Sequence, residues 1–152
     1  MYKKILVPLD GSELSESILP HVVNLAKGCR VPEVVLLRVG EPMDRHVHET
    51  LSAELAGKLI EVNREEVAGY LEKVAADLGT EGIKATTVFA SGNPAQEILE
   101  YAQNNDVDLI LMSSHGRAGV ARWAFGSVAD KVLRLSPVPT LIGPAPGSRS
   151  GL

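Results

Sequence analysis

The stretch Ser113-Ser-His-Gly-Arg-Ala-Gly-Val-Ala-Arg-Trp-Ala-Phe-Gly-Ser127 holds the residue types that bind an anion. Backbone N–H groups approach a phosphate closely only where side chains are small, which Gly116, Gly126 and Ser127 provide. A helical pattern opening near Ser127 adds unpaired donors and the positive end of a dipole, and Ser127 is placed either to cap that helix or to lend its hydroxyl to a phosphate oxygen. Arg117 and Arg122 are cationic, and no Asp or Glu falls between Leu109 and Ala129, so the local charge suits a polyanion. On spacing alone the stretch fits equally well a crossover loop that ends in a Gly-Ser helix cap. It is not a Walker loop, for it has no Gly-Lys-Ser/Thr ending, and Gly116-x-x-Gly119 lacks the leading Gly of a dinucleotide fingerprint.

Other chemistry-bearing residues are fewer. Asp10 follows an apolar run and reads either as an acid near a helix start or as a carboxylate facing a ligand. His115 has no identifiable carboxylate or nucleophile pair beside it and reads as a hydrogen-bonded spacer rather than a catalyst. Ser113, Ser114 and Ser127 read first as caps and turns, and second as phosphate acceptors. Asp44, His46, His48 and Glu49 are ligand-type side chains in a polar stretch, where solvated charge is the better reading. Trp123 reads as cover for a sheet edge or a partner.

The elements that must position these residues follow from periodicity. Ile5 to Leu9 is an unbroken apolar run, as in a strand buried on both faces of a parallel sheet, with Pro8 near its end where no ladder donor is needed. Gly11 turns the chain and Ser12 is the expected N-cap of a helix whose apolar face includes Ile18, Val22 and Ala26, with a kink expected at Pro20 and a stop at Gly28. Val34 to Val39 is a second strand, apolar apart from Arg38, and Gly40 to Glu49 is a polar loop. From about Thr50 to Leu78 apolar residues recur at Leu51, Leu55, Leu59, Val62, Val67, Leu71, Val74 and Leu78, a helical spacing. Ile83 to Phe89 is a third strand, Gly92-Asn-Pro opens a helix over Ala95 to Asn104, and Asp108 to Met112 is a fourth strand. The helix after Ser127 carries Val128, Val132, Leu133 and Leu135, and Pro137 to Ile142 is a short fifth strand whose prolines suit an edge. Strands alternating with helices make βαβ units, hence an α/β, doubly wound five-stranded parallel sheet of Rossmann-like type. Ligands of such sheets sit beyond the carboxyl ends of the strands where strand order reverses.

Bulk properties bound the rest. At 152 residues, 45% apolar and 22% charged, the chain is long enough for one domain with its own core. A formal net charge of −4 with scattered basic residues gives no electrostatic footprint for nucleic acid or an anionic membrane. Cys29 is the only cysteine, so no internal disulfide or Cys-rich metal site forms and a reducing cytoplasm is the expected compartment. The apolar run after Met1 is too short for a signal peptide or membrane span. The domain is expected over residues 1–143, and residues 144–152, with no apolar period, as a disordered tail.

The spacing Ser113-x-x-Gly116, nine residues, then Gly126-Ser127 resembles the nucleotide-binding signature of the universal stress protein family, G-x-x-G-(nine residues)-G-[ST]. Ser113 stands where that pattern has its first Gly, and Ser does not take the positive-φ conformations open to Gly. Ile5-Leu-Val-Pro-Leu-Asp-Gly-Ser12, Gly92-Asn-Pro-Ala95 and Ser136-Pro-Val-Pro-Thr-Leu-Ile142 also resemble the family, extending the likeness over about residues 3 to 143. The resemblance implies strand order 3-2-1-4-5, which sets the switch point between strands 1 and 4. It implies ATP as ligand, with Mg2+ or Mn2+ held mainly through the phosphates. Pro8, Leu9 and Val39 would wall the adenine and Asp10 would face the ribose or a phosphate-bound metal. Met112, Ser113, Gly116, Arg117, Gly126, Ser127 and Val128 would surround the phosphates. The implied function is regulation by nucleotide binding. The alternatives are slow ATP hydrolysis or autophosphorylation, or a nucleotide-free structural dimer module. A homodimer through the last strand is the expected assembly, and Gly126 is expected on a solvent-facing turn.

Overall fold

A computed structural model describes residues 1–40, 49–115 and 125–144. Gly116, Arg117, Arg122, Trp123, Asp44, His46, His48 and the expected tail from residue 145 onward lie outside the described residues. Five strands, β1 Lys4–Pro8, β2 Glu33–Gly40, β3 Ala85–Ser91, β4 Leu109–Ser113 and β5 Thr140–Gly143, form one sheet. All neighbours are parallel and the order is β3-β2-β1-β4-β5, the order that the resemblance implied. The helices are α1 Glu13–Glu16, α2 Leu19–Cys29, α3 Ala53–Thr80, α4 Pro94–Asn104 and α5 Ser127–Leu135.

The central strands are continuous apolar runs because helices cover both faces of the sheet. Alternation sends Ile5, Val7, Val34, Leu36, Leu109 and Leu111 to one face, where they pack with Val22 of α2 and with Leu71, Val74 and Leu78 of α3. Leu6, Val35, Leu37, Ile110 and Met112 go to the other, against Ala95 and Ile98 of α4 and Ala129 and Val132 of α5. The register Lys4–Glu33 through Pro8–Leu37 leaves Arg38, Val39 and Gly40 of β2 running past the end of β1, and Leu9 N–H donates to Leu37 O at 2.9 Å.

Several expectations need correction. Pro20 does not kink a helix. The helical stretch instead divides into α1 and α2 around Ser17 and Ile18, and Pro20 falls in the first turn of α2, where an N–H would have no partner. Both residues at the break keep right-handed helical angles, so apolar periodicity runs through it unbroken. Ile83 is buried in the core but precedes β3, and β5 begins only at Thr140, after both prolines. The helix expected from Thr50 is capped by Ser52, whose hydroxyl accepts from Leu55 N. Along its 28 residues, about 42 Å, α3 outruns the strands it covers. Its second half is core, whereas Leu55, Leu59, Ile60 and Val62 are about half exposed.

Candidate functional site

Three chain segments meet at the carboxyl ends of β1, β2 and β4. The first is Asp10-Gly-Ser12. Gly11 takes φ 83°, a left-handed conformation that a side chain would strain, and so reverses the chain directly after β1. Asp10 Oδ1 then accepts from Ser12 N at 2.9 Å and from the Ser12 hydroxyl, while Ser12 Oγ caps α1 by accepting from Ser15 N at 3.1 Å. The carboxylate is thus held at the strand end by its own turn, just before α1.

The second segment is Ser113-Ser-His115. Ser113 is buried and extended, and positive φ is confined, outside glycine and among the described residues, to Arg30 and Asp106. The family Gly is therefore replaced here without backbone strain. Its hydroxyl accepts from Ser17 Oγ at 3.2 Å, which ties the end of β4 to the α1–α2 break. Ser114 N donates to Gly143 O at 2.9 Å, and Ser114 Oγ lies 3.0 Å from His115 Nδ1.

The third segment opens α5. The N-cap is Gly126, not Ser127, and no side chain among the described residues bonds the first-turn donors. Ser127 is the first helical residue and is exposed. Gly126 is half-buried rather than on a solvent-facing turn. Its N–H donates to Ser114 O at 2.7 Å, and a Cβ on it would stand 3.1 Å from that same oxygen. With φ −58°, the position needs glycine for space, not for backbone conformation.

These segments enclose a cavity of about 810 Å³, within the range typical of small-molecule sites. Pro8, Leu9, Asp10, Val39, Met112, Ser113, Gly126, Ser127 and Val128 all line it. Sequence reasoning missed its further wall, made by Arg38 of β2, Phe89 of β3 and Asn63, Glu66 and Tyr70 of α3. Arg38 carried a signal, since it alone interrupts an apolar strand. The α3 residues carried none, because helical periodicity places a face without saying what it overlooks. The Tyr70 hydroxyl donates to Glu16 Oε1 at 2.8 Å, joining α3 to α1, and burial, with that bond next, raises the phenol's pKa above its ordinary value. Phe89 lies over the end of β2, its Cζ 2.8 Å from where a Gly40 Cβ would be, with the Arg64 guanidinium 5.8 Å above the ring centroid. No group of three or more His, Cys, Asp or Glu among the described residues could hold a metal ion. No described helix is long and apolar enough to cross a membrane.

The sequence and the fold have counterparts in known proteins. The universal stress protein family profile matches residues 1–144. Universal stress protein MJ0531 of Methanocaldococcus jannaschii is 36% identical over 143 residues, covering 93% of this chain and 82% of its own. The solved structure of MJ0577, described as a hypothetical protein in a structure-based assignment of biochemical function, superposes with TM-score 0.83 at 33% identity, covering 97% of this chain and 99% of that one. Two more distant structures share the fold at TM-score 0.69: an Arabidopsis thaliana universal stress protein family protein with AMP bound, at 13% identity, and a universal stress protein in complex with cAMP, at 18%. The first covers 98% of this chain and 95% of its own, the second 95% and 98%.

Proposed function

Because this chain belongs to the universal stress protein family, we propose that it is an ATP-binding regulatory protein acting through nucleotide occupancy rather than fast chemistry. The observation that carries this reading is the cavity at the switch point between β1 and β4, into which the uncapped start of α5 opens. A helix start with no side chain on its first donors suits a phosphate chain, and Gly126 keeps the approach clear. Pro8, Leu9 and Val39 are the proposed adenine wall, Asp10 the ribose or metal-facing carboxylate, and Met112, Ser113, Gly126, Ser127 and Val128 the phosphate surround. Gly116 and Arg117 join that surround on the signature alone. That the same fold carries AMP in one structure and cAMP in another supports a nucleotide ligand.

A divalent ion, Mg2+ or Mn2+, would arrive with the phosphates and neutralise part of their charge. Asp10, which lines the cavity, is the carboxylate proposed to face it. Efficient phosphoryl transfer needs a positioned base and a cationic clamp, and the signature stretch offers Arg117 and Arg122 but no obvious base. Residence in the cytoplasm, with Cys29 reduced, belongs to the same reading.

Native mass spectrometry of freshly purified protein, followed by calorimetry with ATP and GTP with and without magnesium, tests the proposal. Bound or titratable ATP, tighter than GTP and tightened by magnesium, is expected. Equal affinities would remove the adenine wall, and no binding of either nucleotide would sink the reading.

A further inference from the structure

Several polar groups lining the cavity are left unused by the nucleotide reading, and among the described residues one of them is buried without a partner. His115, two residues beyond the end of β4, is only 6% exposed and lines the cavity. Its Cδ2 lies 3.9 Å from where a Cβ on Gly126 would stand, so the ring sits at the head of α5. Nδ1 is 3.0 Å from Ser114 Oγ. Nε2 is buried and has no hydrogen-bond partner among the described residues.

Buried side-chain polar atoms are nearly always paired, since each one left unmade forfeits its hydration without return. A spacer histidine, as sequence alone suggests, would be satisfied on both nitrogens. Here one is satisfied and the other is not. When the Ser114 hydroxyl donates to Nδ1, the ring proton resides on Nε2, and the orphan is then a donor. A buried N–H beside the uncapped start of a helix favours an anionic acceptor, because dipole and donor act on the same charge.

We propose that His115 is a phosphate-binding residue, its Nε2–H donating to an oxygen of the nucleotide's phosphate chain, with Ser114 Oγ holding the ring in the tautomer that does so. The inference rests on the nucleotide reading above and adds to it a residue outside the family signature's fixed positions. It makes an unusual joint demand. In the unliganded protein the imidazole is a liability, so an apolar replacement of similar size should not destabilise the fold. In the complex the same replacement leaves a phosphate oxygen short of a donor.

The experiment pairs calorimetry with thermal melting for wild type, His115→Leu and His115→Gln, using ATP and adenosine as probes. For His115→Leu, ATP affinity should fall about tenfold or more, adenosine affinity should hold, and the unliganded melting temperature should stay level or rise. His115→Gln, whose amide nitrogen reaches close to the position of Nε2, should keep most of the ATP affinity. Histidine side-chain 15N NMR of the wild type should show the His115 Nε2–H signal shifting with ATP and not with adenosine. ATP affinity unchanged in His115→Leu would overturn the proposal, and so would equal loss of ATP and adenosine or a markedly lower melting temperature. Wild-type protein that binds neither ligand would instead remove the nucleotide reading, and this inference with it.

Discussion

Tyr70 shows how much one side chain does at the rim of the cavity. Its hydroxyl donates to Glu16 Oε1 at 2.8 Å, so the phenol braces the short helix α1, which carries the Asp10 turn, against α3. Burial and the acceptor both oppose ionisation, hence the raised pKa. A group whose folded pKa lies above its unfolded value of about 10 contributes its full stabilisation below that value and loses it as pH rises through the folded pKa. The protein should therefore lose stability above about pH 10 faster than Tyr70→Phe does. At neutral pH that variant should be less stable by about 1 kcal/mol, the usual net worth of one such bond. Urea unfolding of both proteins from neutral to alkaline pH checks this, and parallel pH profiles would refute it. Ser113 is a second case at this scale. Its hydroxyl is a constituent of β4 and of the Ser17 contact, so the serine has a packing role of its own where the signature has glycine.

Among the elements, α3 separates what periodicity can tell from what it cannot. Leu55, Leu59 and Val62 recur at the same helical spacing as Leu71, Val74 and Leu78, yet only the latter three are buried, because the helix continues past the strands. Leu71→Ala should cost about 2–5 kcal/mol by opening a cavity in the core, while Leu59→Ala should stay within about 0.5 kcal/mol. Chemical denaturation of the two variants measures the difference, and comparable losses would mean that the first half of α3 is supported after all. The strands were far more legible, since full burial on both faces leaves a run such as Val34 to Leu37 with no competing pattern. The helix opening at Asn93, with Pro94 in its first turn and Asn93 Oδ1 accepting from Gln96 N at 3.2 Å, was legible from its cap alone. The break at Ser17 and Ile18 was not, because the backbone stays near helical angles through it. The far wall of the cavity was illegible for a different reason. Arg38, Tyr70 and Phe89 meet only through the pairing of β2 with β3 and the docking of α3, which no local spacing encodes.

On the scale of the whole molecule, the sheet ends in two unlike edges. The β3 edge belongs to a seven-residue strand, whereas β5 has four residues and pairs with β4 alone. Pro139 O accepts from Ile110 N and Gly143 O from Ser114 N, so backbone groups at these odd-numbered positions face β4. In a parallel pair the intervening residues face the other way, which turns the N–H and C=O of Thr140 and Ile142 outward. Leu141 of this strand, and Leu133 and Leu135 of α5, which packs against β5, are 38%, 42% and 60% exposed. An edge of this kind recruits a partner strand, and the simplest closed arrangement is a two-fold dimer with β5 of each copy antiparallel to the other. Such a dimer would leave both cavities open, because these lie at the carboxyl ends of the central strands. Thr140→Pro discriminates between dimerisation through this edge and through any other surface. It deletes one outward donor, while the Pro139 carbonyl can still accept from Ile110. Sedimentation velocity at micromolar concentration should show a dimer for the wild type and a shift toward monomer for Thr140→Pro, with circular dichroism unchanged. A wild type that sediments only as monomer, or a folded Thr140→Pro protein that dimerises as well as wild type, would mean that this edge is not the interface.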